Sequence, residues 1–168
     1  MLTASVGCGY HPAYGGPRPS GRLTVVAAPS RAPEGGALAA LLSGVRGELS
    51  RAGVLAPGSA YPRLVVELVR VDERGTAQTL LRQADGNQLP IASGALVGVT
   101  ARAWVESEPS RVERDSGDIR RTAAFGTEAN AGLDAATREA ALQSAGRATG
   151  EAIGRRVLGE VEVTQEPM

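Results

Sequence analysis

The sequence predicts an α+β fold: a mostly antiparallel four-stranded sheet with two helices packed on one face, in the order β-α-β-β-β-α. Three observations lead to this prediction. Several short stretches carry apolar residues at alternate positions, two longer stretches carry them three or four positions apart, and Gly-, Pro- and Asp-rich segments separate the stretches. With 168 residues, 42% of them hydrophobic, the chain has the size of one domain with its own core.

The first strand and the first helix follow a segment rich in glycine and proline. Leu23, Val25 and Ala27 alternate with other residues in RLTVVAAP, which predicts a short strand that Pro29 ends. The next stretch has one apolar helical face. That face consists of Leu38, Leu41, Leu42, Val45, Leu49 and Ala52. Gly53 follows as the predicted C-cap of this helix.

Three further strands are predicted in the middle of the chain. Residues 64–71 are apolar on both faces apart from Glu67 and Arg70, which is typical of a strand near the middle of a sheet. Residues 72–93 contain many turn formers and should be a long connection or an extended hairpin with its tip near the DGN of 85–87. The next strand has apolar residues at alternate positions. They are Ala95, Val97, Val99, Ala101, Ala103 and Val105. We interpret ESEPSRVERDSGD as a charged turn and IRRTAAFG as a shorter strand.

The last helix is predicted from Asp134, a suitable N-cap, to about Leu158. It contains Gly146, Gly150 and Gly154 at four-residue spacing, a pattern also found in helices that associate within membranes. We reject a membrane helix because the charged residues between and just after these glycines would have to enter the lipid. They are Arg147, Glu151, Arg155 and Arg156. The glycines should instead let the helix lie close against a sheet or a partner.

Composition excludes several classes of function. Eighteen basic residues balance eighteen acidic ones, so nothing favours a nucleic acid as partner. All of the basic residues are arginine, which excludes a lysine nucleophile, a Schiff base or a P-loop lysine. One cysteine and one histidine cannot fill a metal shell, and the carboxylates are scattered. We therefore expect no catalytic residues, no metal, no cofactor and no enzymatic activity.

The single cysteine, Cys8, lies in the first sixteen residues, MLTASVGCGYHPAYGG. A disulfide within the chain lacks a second cysteine, and catalysis with His11 would need a segment able to hold both side chains together. Lipid attachment fits better, because small and apolar residues up to Gly7 precede the cysteine, as in a bacterial lipoprotein signal. Ser5 departs from the usual leucine, and seven residues are short for such a signal. An incidental cysteine in a frayed N-terminus is the alternative.

These features define the expected organisation of the chain. Residues 1–7 are interpreted as the remnant of a lipoprotein signal shortened upstream, and residues 8–21 as a flexible, lipid-anchored tether. Residues 22–163 form the single α+β domain, and residues 164–168 a disordered tail.

The chain resembles the family of LPS-assembly lipoproteins, LptE, from Cys8 to about Val163. The sharpest match is Cys8-Gly9-Tyr10-His11, which agrees with the Cys-Gly-aromatic-His start common in that family. Weaker matches are the helix GGALAALLSGVRGELSRAG and the C-terminal REAALQSAGRATGEAIGRRVLGE. The order of the predicted elements also agrees.

The resemblance implies an outer-membrane lipoprotein that is anchored through acylated Cys8 and faces the periplasm. Its domain would plug the lumen of LptD, the β-barrel that inserts lipopolysaccharide into the outer leaflet, without being an enzyme. Where the family has a basic residue between its second and third strands, this chain has Arg82, with Arg74 nearby; ordinary solvated arginines are the alternative. A second basic contact of the family has no counterpart, because EANAGLDAAT contains no basic residue.

Trp104 is the one tryptophan of the chain, and its strand pattern places it opposite Val97 and Val99. It should either pack under a helix or contact a partner. Two other functions stay open beside the LptE-like one. The first is another periplasmic lipoprotein adaptor, such as an activator of a cell-wall synthase, and the second is a soluble enzyme, which lacks a base and nucleophile pair here.

Overall fold

Two helices and a five-stranded sheet form the domain in the computed structural model, which describes residues 21–29, 32, 35–82, 86, 88–126 and 131–159. The strands are β1 (Thr24–Ala27), β2 (Arg63–Arg82), β3 (Gln88–Glu108), β4 (Arg111–Asp115) and β5 (Ile119–Gly126). The helices are α1 (Gly35–Arg51) and α2 (Ala131–Val157). The α+β class and the order β-α-β-β-β-α are confirmed, with β4 as an additional short strand.

The sheet is mostly antiparallel, as predicted, with one parallel pair at an edge. β1 runs parallel to β2, while β2 with β3, β3 with β4, and β3 with β5 are antiparallel. The parallel pair has a physical reason: α1 connects β1 to β2 and carries the chain back to the end of the sheet where β1 began. β4 and β5 pair with different parts of β3.

The segment 72–93 forms the distal part of a long hairpin. β2 has 20 residues and β3 has 21, and they pair from Arg63 opposite Glu106 to Arg82 opposite Gln88. Of the two alternatives drawn from the sequence, the extended hairpin is therefore confirmed. Register shifts at Leu68/Arg70 and Gly75/Ala77 interrupt the ladder, as β-bulges do.

The predicted charged turn over residues 106–118 is wrong in part. Only residues 109 and 110 form the turn, with Ser110 at a φ of 65°, and the charged residues after it form β4. Charged side chains are compatible with a strand here because β4 pairs with β3 alone. A kink follows at Gly117, whose φ is 62° and whose amide donates to the Asp115 carboxylate at 2.7 Å.

The two helices cover the face of the sheet on which the apolar residues of β3 lie. These residues and the facing ones of β2 and the helices are buried, and among the fully buried side chains are Leu41, Leu49, Leu64, Leu68, Val97, Val99, Leu142 and Ile153. The buried hydroxyl of Thr149 in α2 lies within hydrogen-bond distance of two carbonyl oxygens, that of Ala145 in its own helix at 2.8 Å and that of Val99 in β3 at 3.1 Å, so α2 contacts the sheet closely here.

Glycines line the contact between α1 and α2. A Cβ atom added at Gly150 would clash with the carbonyl oxygen of Leu41, and one added at Gly44 would clash with the carbonyl oxygen of Arg147. At Gly146 the added atom would lie 2.8 Å from the carbonyl oxygen of Ala37. The close approach expected from the glycine spacing is thus made to α1. α2 begins at Ala131, three residues before the predicted Asp134.

Candidate functional site

The second face of the sheet, called the open face here, carries the candidate site. Strand alternation places on it the side chains that point away from the covered core. They include Arg63, Val65, Glu67, Arg70, Asp72 and Arg74 of β2, Leu96, Thr100, Arg102, Trp104 and Glu106 of β3, Val112 and Asp115 of β4, and Arg120 of β5. The open face therefore combines one tryptophan with several arginines and carboxylates.

Trp104 is half-buried and held by a chain of side-chain contacts. Its indole N–H donates to Glu106 Oε1 at 2.8 Å, and Glu106 Oε2 accepts from Arg63 Nε at 2.8 Å. The Arg63 guanidinium in turn lies 4.4 Å from the centre of the Tyr61 ring, a cation–π distance. Val65, opposite Trp104 in register, is only 6% exposed. The indole is thus held in one orientation without any partner.

The position of Trp104 tests one of the two alternatives stated for it, packing under a helix. The helices lie on the opposite face, with Val97 and Val99, so Trp104 is not packed under a helix in the described part of the chain. The hydrogen bond from Trp104, followed by that from Arg63, holds the pKa of Glu106 below its ordinary value. Glu106 is therefore an ionised acceptor at neutral pH.

A second ion pair flanks Trp104. Arg102 Nε lies 2.9 and 3.0 Å from the two carboxylate oxygens of Asp115, and its terminal nitrogen contacts the same carboxylate. This contact is the main reason that the pKa of Asp115 is lowered, with the Gly117 amide adding to it. A bidentate pair of this kind fixes both side chains on the surface.

A third ion pair crosses the central strand. Arg120 of β5 reaches over β3 to Asp72 of β2, with a nitrogen–oxygen distance of 2.6 Å. It can do so because Gly98 lies beneath it, where an added Cβ atom would clash with the guanidinium. Arg120 is also the main cause of the lowered pKa of Asp72.

Arginine side chains engage three carboxylates of the described open face. Glu106, Asp115 and Asp72 each accept hydrogen bonds from arginine, so none is placed to act as a general base. No cluster of three or more His, Cys, Asp or Glu side chains that could hold a metal occurs among the described residues. The open face is therefore an ordered surface on which arginines and carboxylates surround Trp104.

The residues predicted from the sequence are not all brought together. Cys8 lies outside the described residues, as do Tyr10 and His11. Arg74 is exposed and pairs with Leu96 in register, eight residues or about 26 Å along β3 from Trp104. The backbone of Arg82 lies farther along the hairpin, opposite Gln88, and its side chain falls outside the description.

Sequence reasoning missed Tyr61, Arg63 and Glu106. Glu106 lies two positions after Trp104, so strand alternation alone would have placed both on one face. The same argument could not have found Arg63. Arg63 binds Glu106, but the two residues lie 43 positions apart in the sequence. Its position depends on the register of the whole hairpin.

The chain enters the domain at the same end of the sheet as Trp104. Thr24, at the start of β1, pairs with Arg63, and its hydroxyl donates to the carbonyl oxygen of Ala60 at 2.6 Å. Leu23 pairs with Leu55, in the segment after α1. We call this the tether end; the tip of the hairpin lies at the other end. Among the described residues, neither helix is long and apolar enough to cross a membrane.

Comparison with known proteins identifies the fold. The chain is similar to a minor lipoprotein from Acinetobacter baumannii, with 12% identity, a TM-score of 0.55 and coverage of 84% of this chain and 92% of that one. It is also similar to a protein from Caulobacter crescentus described as a lipoprotein, with 10% identity, a TM-score of 0.51 and coverage of 80% and 86%. No protein-family model and no curated protein matches the sequence.

Proposed function

We propose that the chain is a non-enzymatic outer-membrane lipoprotein, anchored through acylated Cys8 and facing the periplasm, that binds a β-barrel partner through the open face. The observation that carries this proposal is Trp104, held by Glu106 and Arg63 on a sheet face that the helices leave uncovered. An aromatic side chain ordered in this way, surrounded by arginine and carboxylate, has the composition of a binding hot spot. The finer role is that of LptE toward LptD: plugging the barrel and assisting its assembly.

The charge pattern of the open face suits the inside of a barrel. The interior of an outer-membrane barrel is polar, so a plug needs a polar surface that can form hydrogen bonds. The pairs Arg102–Asp115 and Arg120–Asp72 keep charge on this face while leaving it nearly neutral. Such a surface can meet a polar wall without burying an uncompensated charge, which is the costly case.

The anchor is supported by residues at the start of the sequence. Cys8-Gly9-Tyr10-His11 resembles the start of the LptE family, and the similar folds include a lipoprotein of Acinetobacter baumannii. Twelve residues separate Cys8 from Gly21, where the described domain begins. The same proposal includes a contact with lipopolysaccharide. Arg74 and Arg82 would make this contact on the hairpin, at a distance from Trp104.

Metabolic labelling tests the anchor. We expect the full-length gene, expressed with any upstream start in a competent bacterial host, to incorporate labelled fatty acid, and Cys8→Ala to abolish the label. No label, or label that survives Cys8→Ala, would contradict the anchor.

Affinity isolation tests the partner class. We expect the tagged protein, isolated from detergent-solubilised membranes, to bring a large β-barrel with it, since a plug buries far more surface than a transient contact. Recovery of a cell-wall synthase and no large β-barrel would instead support the alternative adaptor function. A positive result in a panel of hydrolase substrates would revive the enzyme hypothesis.

A further inference from the structure

At the tether end, the last row of the open face is a small patch that combines two exposed apolar side chains with an arginine–glutamate ion pair. We define the terminal patch as Tyr61, Arg63, Glu106 and Val112. Val112 is 54% exposed and Tyr61 is 36% exposed, and both are among the three large hydrophobic side chains that are exposed in the described part of the chain. The third, Leu133, lies in the first turns of α2.

The patch is continuous. The Arg63 guanidinium lies over the Tyr61 ring and binds Glu106, and Glu106 pairs in register with Val112 of β4. Trp104 occupies the next row of the sheet and is hydrogen-bonded to Glu106. The terminal patch is therefore the last row of the open face, beyond the row of Trp104.

We propose that, while no barrel partner is bound, the terminal patch rests on the surface of a lipid bilayer. The first argument is the length of chain before the domain and the place where it enters. If Cys8 carries the lipid, as proposed above, the twelve residues between it and Gly21 let the two Cα atoms lie at most about 45 Å apart when the chain is fully extended. The chain then enters through Leu23 and Thr24, beside Arg63. The anchor thus holds the terminal patch, and not the hairpin tip, toward the membrane.

The second argument is the chemistry of the patch. A tyrosine ring and a neighbouring valine suit the interfacial zone, where a phenol keeps its hydroxyl in water while its ring enters the headgroup region. The aliphatic part of Arg63 can follow them, since arginine keeps its charged head at the aqueous boundary. Glu106 already neutralises that charge, so contact does not depend on anionic lipid.

The small size of the terminal patch limits its affinity for the membrane. Two exposed side chains bury too little apolar area to hold a protein of this size on a membrane alone. A tether changes this, because it raises the local concentration of the patch near the bilayer to the millimolar range. The contact should form in the anchored chain and be nearly absent in the free chain.

One cysteine and one tryptophan make the test direct. Cys8 of the full chain is coupled to a maleimide lipid in phosphatidylcholine vesicles, with or without brominated acyl chains, and the emission of Trp104 is recorded. The control is the same chain with Cys8 blocked by N-ethylmaleimide. We expect bromine to quench Trp104 several-fold more strongly in the coupled chain than in the blocked one.

Matched variants identify the surface. The double variant Tyr61→Ser and Val112→Ser should lose the additional quenching, while Leu133→Ser should keep it, because Leu133 lies in the first turns of α2, toward the hairpin end. Equal melting temperatures show that each variant is folded. Absence of additional quenching in the coupled wild-type chain, or its persistence in the double variant, would overturn the proposal. In this experiment the maleimide lipid supplies the anchor, so the result does not depend on natural acylation of Cys8. Failure of natural acylation would contradict the proposed function but would leave the membrane contact of the terminal patch to be decided by the quenching.

Discussion

The two faces of the sheet are ordered by different interactions. The covered face is filled by small and branched apolar side chains such as Val97 and Val99, which are fully buried under α2. The open face is ordered by side-chain pairs instead, with Trp104 held by Glu106 and two arginine–aspartate pairs on the same surface. Hydrophobic burial is the main interaction that orders the first face. The order of the second face contributes little to folding, since exposed ion pairs add about 0–1 kcal/mol each, and we assign it to binding.

The largest effect is expected where the covered face depends on close helix packing. Gly150→Leu should lower the free energy of unfolding by about 1–3 kcal/mol or more, because the new side chain meets the backbone of α1 at Leu41. Gly47→Ala is the matched control: nothing lies near its added Cβ, so the better helix propensity should stabilise the protein by up to about 1 kcal/mol. Urea unfolding measures both. A Gly150→Leu variant more stable than wild type would show that the helices are not in close contact there.

A smaller effect is expected on the open face, at Gly98. Gly98→Ala should displace the Arg120 guanidinium and break its pair with Asp72, at a cost below about 1 kcal/mol. In an Arg120→Ala background the same substitution should be neutral or stabilising. The three atoms nearest to the added Cβ all belong to the Arg120 guanidinium, which is then absent, and alanine restricts the unfolded chain more than glycine. A double-mutant cycle measures this coupling. Additive effects of the two substitutions would contradict the arrangement.

The smallest effect is expected from acid. The pKa values of Asp72, Glu106 and Asp115 are lowered by their partners, so each pair stabilises the fold fully above the unfolded pKa, near 4. This contribution is lost as the pH falls through the lower folded pKa. Asp115→Asn should therefore lose less stability than wild type between pH 6 and pH 3. Equal losses in urea unfolding at the two pH values would contradict the role of Asp115.

The sequence allowed much of the covered face to be predicted, because apolar periodicity directly reports burial. The helix over 35–51 and the alternation from Ala95 to Val105 both follow from it. The sequence predicts a turn in place of β4, because an edge strand of charged residues lacks this apolar periodicity. The parallel direction of β1 depends on a crossover, and the contact of Arg63 with Glu106 depends on hairpin register. Both are tertiary properties that local patterns do not contain.

The central claim is that the open face binds a β-barrel partner through Trp104, and co-isolation of defined variants tests it most directly. Wild-type, Trp104→Glu, Leu133→Glu and Arg82→Glu chains would be isolated with the same tag from detergent-solubilised outer membranes, after a check that each is folded. Leu133 is the matched control, being exposed and on α2. We expect the wild type, Leu133→Glu and Arg82→Glu to retain a large β-barrel and Trp104→Glu to lose it, since a charge at an aromatic anchor is not tolerated. Arg82→Glu should weaken only lipopolysaccharide binding, through a lost charge-assisted contact with phosphate. Retention of the barrel by Trp104→Glu, or its absence from the wild type, would contradict the account.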